Sequence, residues 1–285
     1  MPSLYIVSTP IGNLADLSHR AVEVLRKVDV ILAEDTRRTG VLLRHFGVEG
    51  RMISAHEHNE SARARLVAEL LGEGKDVALV SDAGTPLLSD PGARLVRSAI
   101  ESGFEVIPIP GASALLAALV ASGLSADRFT FYGFLPRKGG AREDLLREIA
   151  ASAFTSVLYE APQRVAKLLE DLLEAAGSDR RVVLARELTK LHEEVYRATL
   201  GEAVHHFDER APRGEFEILL EGRPPSASDP AEAAAAARIL AEALLAQGVA
   251  PSAVARELRD RLGISRNEAY QLAQESAEKT DPAAE

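Results

Sequence analysis

The sequence contains no cysteine and no tryptophan. The missing cysteine excludes disulfides, thiolate metal sites and cysteine nucleophiles together. Aromatic residues make up only 5% of the chain, so its cores must rest on Leu, Val, Ile and Ala. No run of about 18 apolar residues occurs, which argues against a membrane-spanning helix. The N-terminus, Met1-Pro2-Ser3-Leu4-Tyr5-Ile6-Val7, lacks the basic and long apolar regions of a secretory leader, and a cytoplasmic location is expected. Common ligand signatures are missing too. No Gly-x-Gly-x-x-Gly follows the first apolar run, and Gly72-Glu73-Gly74 lacks the third glycine, which disfavours a dinucleotide site. Gly74-Lys75 is followed by Asp76 rather than Ser or Thr, so there is no phosphate-binding P-loop. His56, His58 and the pair His205-His206 have no evident co-ligands, and no metal is expected.

What is present is an ordinary globular composition, 46% hydrophobic and 27% charged over 285 residues. That length suggests two domains and a tail. The net charge of −10 opposes non-specific nucleic-acid binding, so any RNA-directed activity would need a local basic face. Short apolar runs alternate with helical patterns from Leu4 to Ser122, which predicts a parallel sheet with helices on its faces. Ser18 is placed to cap the first helix and Gly47 to end the second. Residues 123–221 form a second α/β domain, where the strands Val182–Arg186, Val195–Leu200 and Phe216–Glu221 lie close together and predict antiparallel pairing. Residues 222–230 read as a Pro- and Ser-rich linker, and 231–285 as a helical tail. Arg256, Arg259, Arg261 and Arg266 in that tail fit either an RNA contact or a solvated helix face.

Sharp turns follow three of the strands: Thr9-Pro10-Ile11-Gly12-Asn13, Asp82-Ala83-Gly84-Thr85-Pro86 and Ile109-Pro110-Gly111-Ala112-Ser113. Glycine lets a backbone approach a ligand closely, and proline fixes the turn. Such turns at the carboxyl ends of parallel strands predict a small-molecule site at the sheet edge.

These turns also carry a resemblance. Ser8-Thr9-Pro10-Ile11-Gly12-Asn13-Leu14, Ala33-Glu34-Asp35-Thr36-Arg37, Ser81-Asp82-Ala83-Gly84-Thr85-Pro86 and Ser89-Asp90-Pro91-Gly92 resemble the tetrapyrrole-methylase superfamily, within it the ribosomal RNA small-subunit methyltransferase I branch. Pro108 to Ser113, Tyr132 to Pro136, Tyr159 to Pro162, Ala185 to Lys190, His192 to Glu194 and Arg213 to Glu215 extend the match, in order, over residues 4 to 221. Where that branch often has Ser and then a basic residue around the proline, this chain has Ala161 and Gln163. The resemblance implies two α/β domains of tetrapyrrole-methylase type with the cofactor cleft between them, S-adenosylmethionine as cofactor, and a homodimer. It implies small-subunit rRNA or the 30S subunit as partner, and a 2′-O-methylcytidine in the decoding centre as product.

For the cofactor, the candidates are Pro10, Asp82, Ala83, Gly84, Thr85, Leu88, Ser89, Ala112, Ser113, Tyr159 and Gly214. For the acceptor they are Glu34, Asp35, Arg37, Arg186, Glu187, Lys190 and Glu193, with Arg37, Arg38, Arg137, Lys138 and Arg142 as candidates to hold RNA backbone. A ribose hydroxyl needs a base, or a charge that stabilises the developing alkoxide. Glu187 or Asp35 is positioned to accept the proton, and Lys190 to lower the hydroxyl pKa or hold a phosphate. The other reading of these charges is an ion-pair network between domains. A tetrapyrrole C-methyltransferase, a non-enzymatic ribosome assembly factor and a protein side-chain methylase stay open as rivals.

Overall fold

The computed structural model describes residues 1–207, 212–224, 230–262 and 264–280. The chain divides into two compact units, Met1–Glu221 and Gly222–Glu285.

The first unit holds two sheets. Strands β1 (Ser3–Val7), β2 (Val30–Ala33), β3 (Arg51–Ser54), β4 (Val77–Val80) and β5 (Glu105–Ile109) form a wholly parallel sheet in the order β3-β2-β4-β1-β5. The four residues of β2 and the four of β4 are all buried, as expected of strands covered on both faces. Helices α1 (His19–Lys27) and α2 (Thr36–His45) cover one face through Ala21, Leu25 and Leu43. Helices α3 (Glu60–Gly72) and α4 (Ala93–Glu101) cover the other through Val67, Leu71, Leu95 and Ala99. Ser18 caps α1 by accepting a hydrogen bond from the Ala21 amide at 3.1 Å, and Gly47 leaves α2 at φ +60°.

Helix α5 (Ala114–Ser122) leads into the second sheet, built from β6 (Phe129–Phe134), β7 (Thr155–Glu160), β8 (Arg181–Arg186), β9 (Glu194–Thr199) and β10 (Phe216–Leu220). Its order is β6-β7-β10-β8-β9; β6 and β7 are parallel, β7 and β10 are antiparallel, and β8 pairs antiparallel with β9 and β10 as their spacing predicts. Helices α6 (Gly140–Ala151), α7 (Pro162–Ala176) and α8 (Leu200–His206) pack one face through Leu146, Ile149, Leu168, Leu169, Leu200 and Ala203. The opposite face receives α5, whose Leu115, Ala118 and Leu119 share a core with Val157, Val183 and Leu219. Ile11, from the loop after β1, enters the same core, so a turn of the first sheet is anchored on the second.

Two local expectations need correction. The sequence pattern runs a strand through Leu200 and leaves little helix before β10, but β9 stops at Thr199 and α8 follows. Thr199 and Glu202 form a capping box there, and Leu200 and Ala203 are buried, so the apolar run turns into a helix instead of extending the strand. Arg142, read as an RNA-facing cation, is a structural residue. Its side chain is 10% exposed, and its guanidinium holds Asp171 at 2.7 Å and the Pro136 carbonyl at 3.0 Å.

The second unit consists of α9 (Pro230–Ala246), α10 (Pro251–Leu262) and α11 (Arg266–Thr280) around Ala237, Ala241, Val254, Leu258 and Leu272. Most of the linker expected at 222–230 lies outside the described residues. Among the described residues, no helix is long and apolar enough to cross a membrane.

Candidate active site

The sharp turns read from the sequence are stitched to one another. Thr9 and Gly84 exchange backbone hydrogen bonds at 2.8 and 3.0 Å, an isolated bridge joining the loop after β1 to the loop after β4. Gly84 sits at φ +81°, a conformation that favours glycine. The Thr85 hydroxyl lies 2.9 Å from the Ser8 hydroxyl and 3.1 Å from the Ala112 carbonyl, which ties in the loop after β5. The loop after β2 is bound in as well: the Asp35 amide donates to Asp82 at 3.0 Å and the Asp82 amide to Glu34 at 3.4 Å.

Beside this assembly lies a cavity of about 410 Å³, within the range of small-molecule sites. Of the residues proposed for the cofactor, Asp82, Ala83, Gly84, Thr85, Leu88, Ser89, Ser113 and Tyr159 line it, together with Glu34 and Arg38 from the acceptor set. Pro10 and Ala112 do not. Pro10 borders a smaller hollow with Gly12 and Thr39, and Ala112 contributes the carbonyl that anchors Thr85. Gly214 is not on the wall either; at φ +89° it makes room for Glu187, whose Cγ would lie 2.5 Å from any Cβ added there. The second sheet adds lining residues that the sequence reading missed, including Asp90, Phe134, Glu160, Leu188, Glu215 and Glu217. Asp90, Phe134, Glu160, Leu188 and Glu215 lie within motifs that carry the resemblance, but Glu217 gave no signal beyond one acidic residue in an apolar strand.

The cavity is acidic. Glu34, Asp82, Asp90, Glu160, Glu215 and Glu217 line it against the single cation Arg38, which pairs with Asp82 at 3.3 Å. Burial, with Glu215 nearby, pushes the Glu217 carboxyl up to about 7. Burial together with the charges of Glu34 and Asp82 pushes Asp90 up to about 6, a shift that a hydrogen bond with Ser81 opposes. Glu34 is raised by burial and by Asp82. Glu217 is only 7% exposed, and its Oε2 has no hydrogen-bond partner; the same holds for Glu160 Oε2 and the Ser113 hydroxyl. Orphaned polar atoms around a cavity are what a polar or cationic ligand would satisfy. The Tyr159 hydroxyl accepts a hydrogen bond from the Leu115 amide at 3.1 Å, and burial pushes the phenol up to about 12, so it stays protonated.

Lys190 lies just outside the cavity lining, with Nζ 2.8 Å from Glu187 and 2.9 Å from Glu215. Burial opposes its charge, but the hydrogen bonds to those two carboxylates outweigh it and raise its pKa. The Lys190 hydrogen bond and the Glu215 amide hold the Glu187 carboxyl below the usual range. Asp35 is held well below the usual carboxylate range by Arg37, through a side-chain pair at 2.7 Å and the Arg37 amide at 2.9 Å. Asp35 also caps α2. Both carboxylates proposed as proton acceptors are therefore weak bases; the raised carboxyls of Asp90, Glu217 and Glu34 are stronger. Glu193 accepts from the Thr189 amide at 2.6 Å and shapes the loop. Arg186 pairs with Glu194 at 3.3 Å. Arg137 and Lys138 line a separate groove of about 1040 Å³ between α6 and α7.

Backbone strain collects at these loops. The non-glycine residues at positive φ among the described residues are Leu87 and Ser89 after β4, and Glu187 and Thr189 after β8. Such conformations persist where the surroundings over-determine them, commonly at functional sites.

A family model described as Tetrapyrrole (Corrin/Porphyrin) Methylases matches residues 3–204. The chain belongs to this family. Its relatives include "Ribosomal RNA small subunit methyltransferase I" of Synechocystis sp., 46% identical with 96% of this chain and 98% of the relative covered. The protein of the same name from Escherichia coli O157:H7 is 46% identical over 95% of this chain and 94% of its own. These matches place the chain in the small-subunit methyltransferase I branch of the family. A solved cobalt precorrin-4 methyltransferase has a TM-score of 0.58 at 19% identity, covering 77% of this chain and 94% of that one, which shows the shared fold.

Proposed function

We propose that the protein transfers a methyl group from S-adenosylmethionine to a ribose 2′-hydroxyl, that of a cytidine in the decoding centre of small-subunit (16S) rRNA. The observation that carries this reading is an acidic, partly orphaned cavity at the strand ends of a chain whose near-full-length relatives bear an rRNA methyltransferase name. The cavity residues fit a cationic donor: six carboxylates face it, three of them raised by burial and mutual charge. Asp82 to Thr85, Leu88, Ser89, Ser113, Tyr159, Asp90 and Glu217 would hold it. When bound, S-adenosylmethionine supplies an electrophilic methyl on a positive sulfur.

The protein's own residues then have two tasks, aligning the acceptor oxygen and taking its proton. Glu34 and Asp90 are carboxyls of raised basicity on the cavity wall and are suited to the proton. Lys190, held as a cation by Glu187 and Glu215, provides a fixed positive charge beside the wall for a developing alkoxide or a phosphate. Each sheet with its helices forms one lobe in this reading, divided near residue 122, and the active form is a cytoplasmic homodimer acting on rRNA or the 30S subunit.

Mass-spectrometric mapping of ribose methylation in rRNA from a deletion strain tests the reading. One 2′-O-methyl group should disappear from the small subunit and return with the restored gene. An unchanged methylation map would overturn it.

A further inference from the structure

We propose that Phe134 is the platform on which the nucleobase of the acceptor nucleotide stacks, with Arg137 and Lys138 taking the phosphates beside it. This rests on the reading of the acceptor as RNA and adds how the RNA is received.

The first observation is a bulge. Pairing of β6 with β7 shifts register between Phe131 and Gly133. Gly133 has φ +61°, and a Cβ there would lie 2.6 Å from the Ser89 hydroxyl on the cavity wall. Bulges beside active sites re-aim the side chains that follow them. Here the following side chain is Phe134. It lines the cavity and is still 54% exposed, in a chain with few aromatics. It meets Tyr159 in an edge arrangement, centroids 5.6 Å apart at 62°, so the inner aromatic does not stack on its face. Leu88, 36% exposed, shares the lip.

The second observation is the sign of the charge on either side. Inward of Phe134 the cavity is lined by carboxylates, which repel phosphates and admit a neutral sugar. Outward along the chain come Arg137 and Lys138, both exposed and without an ion pair among the described residues. They open the groove between α6 and α7, where Arg147 and Lys167 are taken up by Asp144, Glu170 and Asp171 and where Glu143 and Glu174 also stand, so Arg137 and Lys138 are the cations left for phosphates. An aromatic face flanked by cations is how proteins hold unstacked nucleotides, each stacked base adding substantially to affinity.

The chain's lack of tryptophan supplies the test. A Phe134→Trp variant carries a single tryptophan, at an exposed site, that can be excited apart from the tyrosines. Undermethylated small subunits should quench it, and S-adenosylhomocysteine alone should not. Phe134→Ala should raise KM for subunits about ten-fold and change S-adenosylhomocysteine affinity, read by calorimetry, by less than that. Phe134→Tyr should restore KM, and Phe134→Leu should not. Quenching by S-adenosylhomocysteine alone would assign the ring to the donor's adenine and overturn the proposal. So would an unchanged KM in Phe134→Ala, or dissociation of the protein's own oligomer by that variant in sedimentation. Failure of the wild-type protein to methylate subunits, with donor binding intact, would instead overturn the proposed function.

Discussion

At the scale of single residues, Glu217 and Asp90 make the molecule's behaviour depend on pH. Glu217 is pushed up to about 7, above the ordinary glutamate value of 4.5. Between those limits the folded protein keeps a proton that the unfolded chain gives up. Its contribution to stability therefore falls as pH rises from about 4.5 to about 7 and is fully lost above that. Glu217→Gln removes the dependence, so melting profiles of variant and wild type should diverge upward in the variant's favour from pH 5 to pH 8. The relative gain should be on the order of 1–3 kcal/mol. The same protons oppose a cationic ligand. Affinity for S-adenosylmethionine should rise from pH 5.5 to pH 8, and more steeply than for S-adenosylhomocysteine, whose sulfur is uncharged. Equal slopes for the two ligands by calorimetry would remove the carboxylates from sulfonium recognition.

At the scale of elements, the loop after β8 is a strained piece held in place by its neighbours. Glu187 and Thr189 adopt positive φ, Lys190 bridges Glu187 and Glu215, and Gly214 leaves the space that Glu187 fills. Gly214→Ala places a methyl 2.5 Å from Glu187 Cγ and forces a left-handed φ on alanine. Thermal melting should register a loss on the order of 1–3 kcal/mol, and turnover should fall further than stability explains, because Lys190 loses a carboxylate partner. An active, fully stable Gly214→Ala protein would show that the Glu187 position is not required. None of this strain was legible in the sequence, where glutamate and threonine carry no signal for positive φ. The parallel sheet was legible, because strands buried on both faces read as unbroken apolar runs such as Val77 to Val80. The loops after β1, β4 and β5 were legible through their glycines and prolines. The far wall of the cavity was not, since Glu217 and Phe134 reach it only through strand pairing and a bulge in the second sheet.

At the scale of the molecule, the two compact units divide at Glu221 and Gly222. Every residue named for the cavity, the Lys190 cluster and the groove beside Arg137 and Lys138 lies in the first unit, and each unit has its own core. A chain ended after Glu221 should therefore fold cooperatively and bind S-adenosylhomocysteine as the full chain does, by melting and calorimetry. The tail's arginines make the acceptor side the informative measurement, because a contact with RNA phosphates adds to the slope of log affinity against log salt. The full chain has a net charge of −10, so its attraction to RNA must come from local basic faces rather than the overall charge. If Arg256, Arg259, Arg261 and Arg266 form one such face, the shortened chain should bind small subunits more weakly at low salt and with a shallower salt slope. An identical slope would leave the tail as a packed helical appendage and concentrate RNA binding on Arg137, Lys138 and the groove beside them. Loss of donor binding in the shortened chain would contradict the division itself, since it would make the cavity depend on helices that lie outside its compact unit.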